Sequence, residues 1–185
     1  MTDASTAHKL VEEAQRAYQA KKYLAAASLF ERAIQEFNDL GDSLSAAEMA
    51  SNLSVAYLQA GDAQSALTAV QGSDQVFAQA ADTQRQALAL GNIAAAHESL
   101  GNLEIALETY QQCADLLKPI KGQEETRAYV LKCISSLQVR TGKQLEALAS
   151  MNAALNNQKK LNLREKILHK LLRIPFKQIN SNHEE

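Results

Sequence analysis

The chain has 185 residues, of which 22% are charged and 5% aromatic, and a formal net charge of −2. That balance argues against whole-domain binding to nucleic acid, and two cysteines are too few for a disulfide scaffold. Two prolines, seven glycines and abundant Ala, Leu, Gln and Glu indicate an all-α protein, long enough for a sizeable core.

Met1 to Ala7 is polar and lacks an apolar centre, so no signal peptide is expected and residues 1–5 read as a flexible leader. With no apolar run of about 18 residues anywhere, the chain is expected to be cytoplasmic. The apolar spacing predicts a first helix over 6–20, with Leu10, Ala14 and Ala17 inward. The second, over 23–40, turns Ala26, Leu29, Phe30, Ala33, Ile34 and Phe37 inward. Gly41-Asp42-Ser43 ends it and caps a third helix over 43–60, where Ala50, Leu53, Ser54, Tyr57 and Leu58 form one face. Gly61 supplies a positive φ to end that helix, and Asp62 is a good N-cap for the next, over 63–80. Asp82 opens a pair over 83–100 and 103–118. Pro119 and Gly122 then interrupt the chain before a final pair over 123–141 and 144–158. The total is about nine helices with the C-terminal one, and no β-sheet.

The pairs resemble one another. Asn52-Leu53-Ser54-Val55-Ala56-Tyr57-Leu58-Gln59-Ala60-Gly61 returns as Asn92-Ile93-Ala94-Ala95-Ala96-His97-Glu98-Ser99-Leu100-Gly101, and the turns at 21, 61, 101 and 142 lie 40, 40 and 41 residues apart. Each second helix carries a small residue (Ala26, Ala66, Ala106, Ala147), then a larger one (Phe30, Val70, Tyr110, Met151), then another small one (Ala33, Ser73, Cys113, Ala154). Small side chains let two helices approach closely, and the larger one fills the gap between neighbouring hairpins. A fixed period of this length is the signature of a helical repeat array.

Over roughly residues 8 to 160 the pattern resembles the tetratricopeptide repeat, in its long variant of about forty residues. Tyr23, Ala26, Phe30 and Ala33 match the second helix of that repeat, and Leu53, Tyr57 and Gly61 its first helix and turn. The fourth copy departs from it, with Gln138 and Gln144 where larger apolar groups are usual. The resemblance implies a right-handed superhelical solenoid of about four hairpins over 6–160. A C-terminal capping helix over 161–175 and a flexible tail over 176–185 would follow.

Composition shifts after Asn157. Lys159, Lys160, Arg164, Lys166, Lys170, Arg173 and Lys177 against Glu165, Glu184 and Glu185 give a local +4, leaving −6 for the rest of the chain. Asn162 with Glu165 forms a capping box for a helix over 162–174, with an apolar stripe of Leu163, Ile167, Leu168, Leu171 and Leu172, ended by Pro175. A repeat array leaves its last hairpin with an exposed apolar face, so this helix is expected to cover it. The other reading is a basic docking helix for an acidic partner, a membrane surface or nucleic acid.

No chemistry is legible. His8, His97, His169 and His183 lack a second ligand at metal spacing, and His97 stands where the sister repeat has Tyr57, a packing place. Cys113 and Cys133 lie inside helices and are expected as buried, reduced thiols. No phosphate loop, nucleophile elbow or HExxH occurs, so no enzyme activity, metal or cofactor is expected. What the resemblance implies instead is a concave surface lined by the first helix of each pair. Its residues would be Glu12, Gln15, Tyr18 and Gln19, then Glu48, Ser51, Asn52, Val55 and Gln59. Leu88, Asn92, Ala95, Glu98 and Ser99 would follow, and then Tyr129, Lys132, Ser136 and Arg140. The equivalent Asn52 and Asn92 either grip the backbone of a peptide or bond a neighbouring helix. The basic chaperone clamp of the family would need Lys near Val11, Asn at Gln15 and a Lys/Arg pair at Leu88 and Asn92, and of its pattern only Asn52 fits. The expectation is a non-catalytic adaptor that binds a protein or peptide in its groove, for complex assembly or regulation. The alternative is a structural subunit docking through its convex face or basic C-terminal helix. Nucleic acid is not expected as a partner.

Overall fold

The computed structural model describes residues 4–172, and every regular element among them is an α-helix. In order these are α1 (Ala4–Gln19), α2 (Tyr23–Asp39), α3 (Ser43–Ala60), α4 (Ala63–Val70), α5 (Ser73–Gln79), α6 (Thr83–Ser99), α7 (Leu103–Leu117), α8 (Glu124–Arg140), α9 (Gln144–Asn157) and α10 (Leu163–Leu172). Pro175, Arg173, Lys177, His183 and the tail over 176–185, together with residues 1–3, lie outside the described residues. The chain divides into two compact units, Met1–Leu116 and Leu117–Glu185.

Aspartates set three of the helix starts in the first unit, those of α3, α4 and α6. Asp42, Asp62 and Asp82 each accept the backbone N–H three residues on, at 3.0, 3.0 and 2.9 Å. An ionised acceptor at a helix N-terminus satisfies a donor that has no partner within the helix. The hydroxyls of Ser45 and Ser65 hold the Asp42 and Asp62 carboxyls below the ordinary aspartate range. For Asp82 the backbone N–H of Arg85 contributes most, then its guanidinium. Left-handed residues end the preceding helices. Gly61 does so at φ 83, whereas Lys21 and Ala81 do so at φ 58 and 56 with a Cβ in place. A non-glycine residue there is strained, at about 1–2 kcal/mol.

The core of α1, α2 and α3 is built from alanines between larger side chains. Ala7, Ala14, Ala26, Ala33 and Ala56 are at 0% exposure, with Phe30, Phe37, Met49 and Leu53 buried around them. The small–large–small order holds inside: Ala66, Val70 and Ser73 are buried, and so are Ala106, Tyr110 and Cys113. Of the two cysteines, Cys113 is buried and Cys133 half-buried.

The single helix expected over 63–80 is two. Gln71 is extended (φ −58, ψ 125) and Gly72 left-handed (φ 86), so the chain turns between α4 and α5 and ten helices are described where nine were expected. Glycine adopts this conformation without steric cost, and Gly72 sits inside an otherwise continuous helical pattern. The break lets α5 pack against both α3 and α6, where Phe77 (1% exposed) joins Ala47 and Ala89. Arg85 stacks its guanidinium over the Phe77 ring at 5.1 Å and reaches Glu48 at 3.2 Å.

In the second unit α8 packs on α9, burying Val130, Ile134, Leu137, Ala147, Ala154 and Leu155. Polar groups cross this hairpin. Ser135 Oγ donates to the Ala147 carbonyl at 2.7 Å, and Ser150 Oγ donates to Gln138 Oε1 at 2.8 Å. Gln138, one of the two glutamines that depart from the tetratricopeptide pattern, is thus buried with its acceptor satisfied.

The capping box of α10 is formed, with both hydrogen bonds at 2.9 Å. Its expected orientation is not. Leu163, Ile167, Leu168 and Leu171 are 75, 54, 37 and 58% exposed, and no residue of α10 is buried. The half-buried residues are Glu165, His169 and Leu172, one helical face. Lys132 Nζ donates to Glu165 Oε1 at 2.7 Å, and His169 Nε2 pairs with Asn156 Oδ1 at 2.8 Å. These polar contacts turn the leucine stripe outward, so it does not cover the preceding hairpin.

Candidate functional site

Five of the groove residues named from the sequence, Tyr18 among them, meet at one pocket in the first unit. Gln15 and Gln19 come from α1, Asn52 and Val55 from α3, and Tyr18 and Phe30 complete the lining of about 180 Å³. Local sequence explains the assembly. Gln15 and Gln19 are four apart on α1, as are the buried Leu10 and Ala14, so an amide edge and an apolar edge run in parallel. On α3, Asn52 and Val55 are three apart and half-buried beside the buried Leu53 and Ala56. Tyr18 is fixed by an edge contact to Tyr23, ring centroids 5.4 Å apart.

The pocket has no charged side chain in its lining, and beside the Tyr18 phenol its polar groups are three amides, each able to donate and accept. Asn52 Nδ2 makes a long 4.0 Å contact to Met49 Sδ on its own helix. At about 180 Å³ the space is below the roughly 300–1,000 Å³ typical of small-molecule sites.

The remaining named residues do other work. Asn92 Nδ2 donates to the Ser51 carbonyl at 3.4 Å, tying α6 to α3, which is the helix-bonding role of the two foreseen for this asparagine pair. Glu48 pairs with Arg85 across the same two helices, and Glu12 pairs with Arg16 at 3.0 Å on the exposed surface of α1. Gln59 lines a separate, open depression with Lys21, Tyr23 and Leu24. Leu88 is exposed, while Ala95 and Glu98 are half-buried on α6. Lys132, Ser136 and Arg140 belong to the second unit; Ser136 and Arg140 are exposed, and Lys132 is engaged with Glu165. Phe30, expected only as packing, also forms a wall of the pocket. Its signal was bulk, since Phe30 is the largest apolar side chain at its place in the repeat.

Elsewhere in the first unit, Tyr57 donates its hydroxyl to Glu31 Oε1 at 2.6 Å, linking α3 to α2. The carboxylate acceptor and burial push the phenol up to about 12, so Tyr57 stays protonated at neutral pH and serves as a strut. Among the described residues no cluster of three His, Cys, Asp or Glu could hold a metal ion. No helix among them is long and apolar enough to cross a membrane.

No protein-family model matches the chain, and no curated protein does. Among solved structures, the crystal structure of BtubC (BKLC) from P. vanneervenii is similar. The TM-score is 0.75 at 14% sequence identity, over 85% of this chain and 69% of that one. The likeness is one of fold.

Proposed function

We propose that the chain is a tetratricopeptide-like adaptor, a non-catalytic module that takes a segment of a partner protein against α1 and α3. The observation that carries the reading is the pocket of Gln15, Gln19 and Asn52 around Tyr18, Phe30 and Val55. Amides bind main-chain N–H and C=O groups alike, so they grip an extended or helical segment largely independently of its side chains. The apolar walls then select one aliphatic or aromatic side chain. The forty-residue spacing supports a solenoid of stacked hairpins as the scaffold that presents this surface.

A peptide display library panned on the chain tests it. Enriched peptides should carry one bulky apolar residue, and the Gln15→Ala/Asn52→Ala variant should bind them about tenfold more weakly, since each lost hydrogen bond contributes about 0.5–1.5 kcal/mol. Glu104→Ala, on the exposed side of α7, should bind as the wild type does. Peptides held equally well by the double variant would place the binding surface elsewhere. The second reading is a structural subunit that docks through its C-terminal helix. The exposed Leu163, Ile167 and Leu171 favour it.

A further inference from the structure

We infer that α10 is a lipid contact, an amphipathic helix that lies flat on an anionic bilayer with its leucine stripe in the headgroup–acyl boundary. Single exposed leucines are ordinary, but four large aliphatic side chains on one face of a ten-residue helix are not. The charge around that stripe has one sign. Arg164 falls within it and Lys166 and Lys170 edge it, all three exposed. The one acid of the helix, Glu165, faces the other way and is engaged by Lys132 at 2.7 Å. The side turned to solvent is therefore apolar and cationic together, the composition that binds anionic lipid surfaces. Long basic side chains can extend to lipid phosphates while their stems lie along the leucines.

The way α10 is held fits this use. Lys132–Glu165 and Asn156–His169 fasten its polar side to the body of the second unit, so the stripe is presented without any helix having to unfold. Ten residues make about 15 Å of helix against a hydrocarbon core of about 30 Å, so it lies in the interface and does not span. Other occupants fit less well. Two copies pairing stripe to stripe would bring Arg164, Lys166 and Lys170 towards their own mates with no exposed acid on the helix to answer them. Nucleic acid would engage the cations and leave the leucines in water.

The test uses the whole chain and sedimentation with vesicles of phosphatidylcholine, alone or with phosphatidylserine added. The chain should sediment with the anionic vesicles, bind the neutral ones at least about tenfold more weakly, and release as salt rises. Leu163→Ser/Leu171→Ser and, separately, Lys166→Glu/Lys170→Glu should each lower anionic-vesicle binding by at least about tenfold, with the melting temperature unchanged. If the leucine variant fails to fold, the charge-reversed variant decides alone. Gln15→Ala/Asn52→Ala should bind vesicles as the wild type does, which keeps this result separate from the peptide pocket. Failure to sediment with either vesicle overturns the inference, and so does equal binding to both. A dimer that Leu163→Ser/Leu171→Ser dissociates would make the stripe a self-interface. Duplex DNA displacing the vesicles while binding the leucine variant unchanged would leave only the cations with a role.

Discussion

Between α1 and α2 the facing residues Ala7, Ala14, Ala26 and Ala33 are all at 0% exposure, so the two backbones approach across methyl groups. Between α8 and α9 the same kind of hairpin is crossed by Ser135 to the Ala147 carbonyl and by Ser150 to Gln138. The α1–α2 hairpin thus fixes its geometry by volume and the α8–α9 hairpin partly by direction. Volume-fixed contacts resist enlargement and cavities, because the interior is close-packed. Hydrogen-bonded contacts tolerate small changes of volume but not the loss of a partner, which strands a buried polar group. The difference extends to the way helices are added: α5 enters the first unit on Phe77, whereas α10 joins the second on Glu165 and His169.

The largest effect should come from emptying a volume-fixed site. Phe77→Ala removes a ring that is 1% exposed beside Ala47 and Ala89, and should cost about 3–5 kcal/mol in urea unfolding. A cost below about 1 kcal/mol would mean that the helices collapse onto the vacancy, and the contrast between the units would lose its basis.

Overfilling comes next. Ala66→Leu and Ala106→Leu, both at positions of 0% exposure, should each destabilise by about 1–3 kcal/mol. The equivalent Ala147→Leu in the second unit, at 3% exposure, should cost less if the hydrogen-bonded hairpin yields more readily. Equal costs at all three positions would erase the distinction.

Most of this was legible from particular residues. The alanine register, the three aspartate caps and the box of Asn162 with Glu165 are local rules of spacing, and each appears where the spacing puts it. The break at Gly72 was missed because its flanks keep a helical pattern, and a glycine inside one is tolerated more often than it ends the helix. The orientation of α10 was missed for a different reason. Its stripe is amphipathic in either orientation, and only the long-range partners Lys132 and Asn156 decide which side faces the body. The pocket was partly legible: periodicity placed Gln15, Tyr18, Gln19, Asn52 and Val55 on lining helices, yet could not separate Asn52, at the pocket, from Asn92, bonded to Ser51.

A helix cap should give a smaller, pH-dependent effect. Asp82→Ala should cost about 1 kcal/mol at neutral pH. The Asp82 carboxyl is held below its usual range by the Arg85 backbone N–H and guanidinium, so its contribution is present above the ordinary aspartate range. It is lost as the pH falls through the lower folded value. The gap between wild type and variant should therefore close in acid. A gap that persists below that value would show that the Asp82 contact acts by something other than its charge.

The smallest effect separates the attachment of α10 from the stability of the unit it joins. Glu165→Gln keeps the geometry of the capping box, in which glutamine serves as well, and removes the charge facing Lys132. Because no residue of α10 is buried, the melting temperature should not move. The α10 amides should nonetheless exchange faster than in the wild type at neutral pH. The Lys132 hydrogen bond, followed by the Asn162 backbone N–H, holds the Glu165 carboxyl below its ordinary range. The protection it gives is thus complete above that range and fades as the pH falls through the folded value. Wild type and variant should then exchange alike in acid and differ near neutrality. If their α10 amides exchange at the same rate at every pH, the ion pair does not hold the helix, and the contact between His169 and Asn156 is what sets the stripe facing outward.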